Sequence, residues 1–590
     1  MSYNDLDYKY NEFLCIFINT GGTSMKLPPI DMQSVRHPYP ETTMFGAVRD
    51  AAERFPKAPA LEFMGSYTTY NTLIRKIEQA ATAFYSAGIR KNDVVTICSP
   101  NIPQAVVAIY ALNRIGAIAS VVHPLSSQKN ITYYLDYVDS KMILTLDNFY
   151  EKVYAAVKEA KRDVRILVAR IQDELNPILA AGYILKSGKK YLKYPEKGKG
   201  TLWTDFVKYT RRTALPPVEY DKEKTSVILY SGGTSGTPKG ICLSDYGFNA
   251  LGMQLAEECG CNLTYGCTFL SVMPIFHGFG LGIGIHTILE NGAMCILIPQ
   301  FTKETYAQTV LKKKPNFIAG VPTLYEALLN VDAFNGADLS FLKGVFSGGD
   351  SMSVELKKRC DKFFKEHNAN VQIREGYGLT ESVNATCLTP VDRYKEGSIG
   401  LPLRDMSFRI VEPGTFNEVA TGELGEIIIS GPTIMLGYLK NEEENEKTLR
   451  VDENGIKWLF TGDLGCVDEE GFVYFKQRIK RMIISSGYNV YPSQIEKVLD
   501  KHPDIDYSCA IGVKDNYKMQ KVRAYIVLKN GVPETPEEKI KILDYCKQYL
   551  DVMERPREIV FRKELPRTLV GKVAYRVLEE EAAAEEANKK

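Results

Sequence analysis

Residues 230–240 read YSGGTSGTPKG and follow the apolar run Ser226, Val227, Ile228 and Leu229. A short β-branched run bounded by turn residues reads as the end of a buried strand. The fold must therefore deliver, from the end of a core strand, a loop with four glycines, four Ser/Thr hydroxyls and one lysine. Glycine lets successive backbone N–H groups converge on an anion without a Cβ in the way, and the hydroxyls and the ammonium add donors and charge. That is the composition of a phosphate cradle. Neither common nucleotide fingerprint fits it: a Walker loop places lysine directly after a glycine, whereas Lys239 precedes Gly240, and no G-x-G-x-x-G is present. A surface linker would share the Gly/Ser/Thr enrichment. It would have no need of Pro238 and Lys239 at fixed places behind the glycines.

A chain of 590 residues exceeds a single hydrophobic core and is expected to divide into two to four structural units. From about Thr42 the pattern predicts a helix over 44–54, a strand over 60–63, a helix opening at Thr69 and Tyr70 toward Gly88, a strand over 94–97 and a helix over 104–115. Further strands are expected over 269–273, 293–298, 317–320 and 344–346, alternating with helices. Such alternation implies an α/β fold with parallel sheets covered on both faces. A β-rich piece is expected over 407–430, punctuated by Gly422, Gly425 and Gly431. Beyond Arg478 two strands and two helices to Arg576 suggest a small α+β unit.

Composition narrows the function. A net charge of +1 supplies no global field for nucleic acid or an anionic membrane. Twelve cysteines include no C-x-x-C pair, and no histidine cluster stands beside Cys259 and Cys261, so reduced thiols in a cytoplasmic protein are expected. The apolar run 13–18 is too short for a signal-peptide core, and no stretch approaches the ~20 apolar residues of a membrane span. The lysine-rich residues 186–199, which follow a helical stretch over 173–185, read as a solvated insertion or as peripheral membrane contact. The acidic tail 579–590 reads as a solvated helix.

Two further stretches carry chemistry. In residues 375–381, EGYGLTE, a tyrosine between glycines can present its ring face to a base, and Glu381 is a hard oxygen ligand of the kind Mg²⁺ takes beside phosphate; Thr380 is also expected to cap a helix. In residues 458–463, WLFTGD, Asp463 follows a tight turn and can accept hydrogen bonds from both hydroxyls of a ribose. With the glycine-rich loop, and with 347–350 (SGGD), 478–488 (RIKRMIISSGY), 274–280 (PIFHGFG) and 565–572 (LPRTLVGK), these stretches stand in the order found in the adenylate-forming enzymes, and the chain resembles that superfamily over about residues 42–576. The superfamily contains acyl-CoA synthetases, insect luciferases and the adenylation domains of peptide synthetases. The form EGYG is most similar to that of the fatty acyl-CoA synthetases.

The resemblance implies a large N-terminal domain (42–478) of parallel and mixed sheets wrapped by helices with a β-rich subdomain, a small mobile α+β C-terminal domain (479–590), and an N-terminal extension (1–41). It implies an ATP-dependent carboxylic acid:CoA ligase, with ATP, CoA and Mg²⁺ as reactants and cofactor. Ser231, Gly232, Gly233, Thr234, Ser235, Gly236, Thr237 and Lys239 would clamp the β- and γ-phosphates. Tyr377 would stack on adenine, walled by Gly348, Gly349 and Asp350 and flanked by Glu375, Gly376 and Gly378. Thr380 would approach the α-phosphate, Glu381 hold Mg²⁺, Asp463 the ribose, and Arg478 the ribose or phosphate. Lys572 would bridge the substrate carboxylate and the α-phosphate, Lys480 would be the hinge, and Ser486 and Gly487 would lie on the CoA side. His277, Gly278, Phe279 and Gly280 would border the acyl site, and Gly278, Gly280, Gly282 and Gly284 leave room for a tunnel or allow close helix packing.

His277 stands where amino-acid-activating members carry aspartate, which turns the expectation from amino acids toward a larger acyl or aryl acid, a medium- or long-chain fatty acid first. Ile484 occupies a place where many members have lysine, and Arg567 replaces another. The short stretch after Lys572 leads to the expectation of a diffusible acceptor, CoA or a separate acyl carrier protein. A catalytically silent acyl or nucleotide sensor is the competing class, against which Thr234, Glu381, Asp463 and Lys572 all count.

Overall fold

The computed structural model describes residues 39–187, 199–208, 214–231, 238–260, 263–299, 302–485, 488–515, 519–568 and 573–588. Local chemistry sets the first elements. The Thr43 hydroxyl accepts from the Gly46 N–H and opens the helix Met44–Arg54, Thr69 does the same for Tyr70–Ser86, and Pro103 starts Pro103–Arg114 where its missing N–H costs nothing. That last helix is buried along nearly its whole length, as its apolar composition on every face demands.

Strands and helices then alternate into two large sheets. In the first, Thr201–Leu202, Arg165–Ala169, Met142–Leu146, Val94–Cys98, Ile118–Val122 and Thr225–Ser231 run parallel in that spatial order. Lys239–Ser244 and Gly437–Tyr438 extend it antiparallel. In the second, Pro59–Phe63, Met294–Leu297, Thr268–Ser271, Phe317–Gly320, Gly344–Ser347 and Ile373–Gly378 are parallel, with antiparallel strands added at both edges. One apolar core, including Tyr110, Phe248, Leu281 and Phe317, spans both sheets and the helices between them. A five-stranded antiparallel sheet, Ser407–Val411 through Val473–Arg478, supplies the β-rich part. The α/β architecture with mixed sheets, a β-rich subdomain and a terminal α+β part agrees with the expectation.

Three local expectations are corrected. The helical stretch over 173–185 is a 3₁₀ turn, Ile171–Glu174, followed by the helix Pro177–Ser187, because Pro177 bars the preceding Asn176 from helical geometry. After Arg478 there are five strands and three α-helices among the described residues, not two and two; the long hairpin Ile505–Asp515 and Met519–Leu528 is joined by the short strands Ile483–Ser485 and Tyr488–Val490 and by Glu558–Phe561. The terminal helix Tyr575–Asn588 is not simply solvated: Leu578 and Ala582 are buried against Ile511, Val513 and Tyr525, and Glu585 and Glu586 pair with the buried Arg523. The lysine-rich insertion lies largely outside the described residues. No helix among them is long and apolar enough to cross a membrane.

Candidate active site

The glycine-rich loop joins two antiparallel neighbours. Tyr230 pairs with Gly240 and Ser231 with Lys239, so the strands Thr225–Ser231 and Lys239–Ser244 run antiparallel on either side of it, where the parallel part of the sheet ends. Gly232, Gly233, Thr234, Ser235, Gly236 and Thr237 lie outside the described residues, as do Ser486, Gly487 and Lys572. The loop's two feet lie within the described residues. Tyr230 shares a 2.7 Å hydrogen bond with the Ser120 hydroxyl and packs 4.4 Å, centroid to centroid, from Tyr134; burial pushes its phenol far above the usual range. The Lys239 ammonium pairs with Glu444 and sits 4.9 Å from the Tyr438 ring centroid.

Tyr438 links this foot to a second group. Its hydroxyl donates to Glu381 at 3.0 Å, and Glu381 is held by the turn Thr380–Ser382, whose Ser382 Oγ bonds back to Leu379. Thr380 is buried as the first residue of this 3₁₀ turn; it caps no α-helix. The turn is strained: Val383, fully buried, adopts φ +58°, a left-handed conformation that a β-branched side chain rarely takes. Its position is enforced from both sides, since a Cβ on Gly378 would fall 1.4 Å from the Asn384 oxygen and one on Gly278 would fall 1.9 Å from the Val383 oxygen.

A third group forms around Asp463, which is 2% exposed. Asp463 does not follow a turn: it lies inside the strand Lys457–Val467 at a bulge where Gly462 takes φ +69°, and the Gly462 and Asp463 N–H groups donate to Glu426 and Thr461. The Tyr377 hydroxyl donates to Asp463 Oδ2 at 2.8 Å, and the paired strand brings Arg478 Nε within 3.3 Å of Oδ1. The Asp463 carboxylate raises the Arg478 pKa further and pushes the Tyr377 phenol up, where burial is the larger cause. Arg478 also feels the charge of Glu381, which links the second and third groups electrostatically. Lys480 joins them: burial lowers its pKa, and Glu444, Lys239, Arg576 and Arg478 all act on it electrostatically.

Tyr377 has a second face. With Ser347, Gly348, Gly349, Gly376 and Gly378 it walls a cavity of about 70 Å³. The other walls are almost wholly apolar, among them Leu255, Cys259, Leu263, Phe269, Phe279, Ile283, Ile288 and Phe317. Gly348 and Gly349 fit this wall closely, the former 3.2 Å from the Gly376 oxygen at an imagined Cβ and the latter at φ +81°. Asp350 is exposed and caps the Ser351 N–H.

Not every expected residue converges here. Strand alternation turns Glu375 to the face opposite Gly376, toward Lys357 and Lys497, where burial raises its carboxyl to about 7. His277 accepts the Phe279 N–H at Nδ1, and Phe279 itself lines the cavity. Gly278 and Gly280 do not line it. They let the helical segment Phe279–Thr287 approach the Val383 and Pro274 carbonyls, so of the two uses of the alternating glycines close packing is the one realised there. Tyr438 and Glu444 were not legible as site residues: no motif surrounds them, and only the pairing of Gly437–Tyr438 with the hairpin strand brings them in.

Comparison with known proteins accords with this geometry. A profile described as AMP-binding enzyme matches residues 48–439, and one described as AMP-binding enzyme C-terminal domain matches 494–572. A long-chain-fatty-acid–CoA ligase of Bacillus subtilis is 32% identical over 551 residues, covering 92% of this chain and 95% of the relative. One from Escherichia coli O157:H7 is 30% identical over 591 residues, covering 95% and 98%. Among solved structures, the anthranilate CoA ligase AuaEII in complex with anthranoyl-AMP superposes with a TM-score of 0.79 at 22% identity, covering 94% of this chain and 100% of that one. ATP-bound MatB from Rhodopseudomonas palustris gives 0.78 at 22% identity, covering 91% and 98%. The chain belongs to the AMP-binding enzyme family and, with its full-length relatives, to the AMP-forming acid–thiol ligases.

Proposed function

We propose that the protein activates a medium- or long-chain aliphatic acid with ATP and transfers the acyl group to CoA. One observation carries this reading: Tyr377 borders an apolar cavity on one side and hydrogen-bonds Asp463 on the other, so an acyl chain and a nucleotide would meet at a single residue. In the first step a carboxylate oxygen attacks the α-phosphorus and pyrophosphate leaves. In the second the CoA thiolate attacks the acyl carbonyl and AMP leaves.

Each residue group has a role in this scheme. Ser231 and Lys239, with the loop between them, clamp the departing pyrophosphate. Asp463, an acceptor-only carboxylate, accepts the ribose hydroxyls. Gly348, Gly349 and Asp350 wall the adenine on which Tyr377 stacks, Thr380 approaches the α-phosphate, and Lys572 offsets the charge that builds between the two substrates. Glu381, a partly buried carboxylate beside the phosphate-facing hairpin, is a fitting hard-oxygen ligand for Mg²⁺, which would neutralise phosphate charge there. Residues 479–590 act as a lid turning about Lys480, presenting Lys572 in the first step and the side of Ser486 and Gly487 in the second.

Acid-dependent pyrophosphate exchange across straight-chain and aryl acids, followed by transfer to CoA or to a free carrier protein, tests the assignment. Turnover with aliphatic acids and CoA is expected. Lys572→Ala should abolish acyl-AMP formation yet still pass a supplied acyl-adenylate to CoA. The absence of exchange with every acid tried would overturn the ligase assignment.

A further inference from the structure

The strand Ile373–Gly378 lines the cavity with Gly376, Tyr377 and Gly378, and Arg374, two residues before Gly376, stands just behind that lining. Side chains alternate along a strand, so Arg374 shares a face with Gly376 and Gly378, both of which line the cavity. Its register partner on the next strand is Phe346, another lining residue, and the guanidinium carbon sits 5.5 Å from that ring's centroid. Arg374 is 7% exposed. Its Nε donates to the Thr389 carbonyl at 2.7 Å, but Nη1 and Nη2 are buried and have no hydrogen-bond partner among the described residues. Glu258 and Asp392 act on it only through their fields, without an ion pair among the described residues, as does Cys259, which lines the cavity.

A buried guanidinium with two idle nitrogens is costly unless an acceptor arrives. Its planar pair of donors matches two oxygens side by side, or one oxygen bridged between them. Gly376 and Gly378 lead along this face from the Tyr377 end of the cavity to Arg374, so an acid whose carboxylate lies near the nucleotide would direct its far end toward the guanidinium. We propose that Arg374 is a specificity determinant and that the preferred acid carries an oxygen acceptor at its far end, with a second carboxylate as the group that satisfies both nitrogens. This rests on the ligase assignment above and narrows its substrate class from plain aliphatic acids to ω-oxygenated ones.

The test compares acids matched in carbon number: the plain alkanoate, the ω-hydroxy acid and the α,ω-dicarboxylate. The wild-type protein should favour an ω-oxygenated acid over the alkanoate by at least ~10-fold in kcat/KM, the discrimination expected of a charged hydrogen bond formed in a buried site. In Arg374→Met, of similar volume, that preference should vanish and the alkanoate should gain. An alkanoate used as well as its ω-oxygenated counterparts by the wild-type protein would overturn the proposal without any variant, as would an unchanged ratio in Arg374→Met. Equilibrium binding of the same acids separates the two levels. With no turnover of any acid the ligase assignment falls, while tighter binding of the ω-oxygenated acid, lost in Arg374→Met, would still support the site and equal binding would sink it.

Discussion

The four alternating glycines around the segment Phe279–Thr287 make a graded experiment, because each meets a different neighbour. An alanine Cβ at Gly278 would lie 1.9 Å from the Val383 oxygen, and one at Gly280 would lie 2.0 Å from the Pro274 oxygen. Ordinary carbon–oxygen contacts are about 3.3 Å, so backbone has to retreat by more than about 1 Å in either variant. At Gly278 the obstacle cannot yield cheaply, since Val383 already sits at φ +58° in a fully buried turn. Overpacking against side chains costs about 1–3 kcal/mol, and against fixed carbonyls we expect ~3 kcal/mol or more for Gly278→Ala and Gly280→Ala. At Gly282 the contacts are the Val383 and Leu251 methyl groups at 3.0 and 3.1 Å, which a small rotation relieves, so the expected cost is within about 1 kcal/mol. At Gly284 the nearest atom is 3.7 Å away, and removing glycine's freedom in the unfolded chain should stabilise by about 0.5–1 kcal/mol. Thermal and urea unfolding midpoints of the four alanine variants should therefore rank Gly284 highest and Gly278 and Gly280 lowest. Equal destabilisation at Gly284 and Gly278 would refute close backbone approach as the reason for these glycines.

Two more outcomes follow from the polar groups. Tyr377→Phe and Asp463→Asn remove opposite ends of one 2.8 Å charge-assisted hydrogen bond, so their effects on AMP affinity should overlap, with a coupling of about 1–3 kcal/mol in a double-mutant cycle; simple additivity would dissolve the link between cavity wall and ribose site. Glu375, raised to about 7 by burial, binds its proton more tightly folded than unfolded, so its contribution to stability is complete below the ordinary carboxyl value and is lost as pH rises through about 7. Glu375→Gln should thus match the wild-type unfolding midpoint near about pH 4.5 and exceed it near about pH 8. A difference independent of pH would place the cause elsewhere.

What the sequence discloses follows the range of the interactions involved. The helix Met44–Arg54 and the strand Phe317–Gly320 are legible because a capping threonine, a 3.6-residue apolar period and a short apolar run act within a few neighbours. The glycine-rich loop announces phosphate chemistry for the same reason, since its donors are consecutive. Its lysine's partner is a different matter: Glu444 lies 205 residues further along, on a segment that reaches Lys239 only through an edge-strand pairing. The terminal helix is misread by the same limit, because its glutamates look solvated until Arg523, 62 residues earlier in the chain than Glu585, is found buried beneath them.

Arg374 shows where this limit bears on function. Alternation along its strand is a local fact and ties Arg374 to Gly376, whichever way they face. Which face looks into the cavity is decided by the distant residues that close it, among them Leu255, Phe279 and Phe317, and by nothing in residues 373–378 themselves. The motif around Tyr377 therefore identifies the nucleotide chemistry by itself, whereas the acid is selected by a residue three positions away whose meaning exists only in the folded chain. A relative that kept the motif and exchanged this arginine for leucine would keep the adenylation chemistry and lose the discrimination at the far end of the acid.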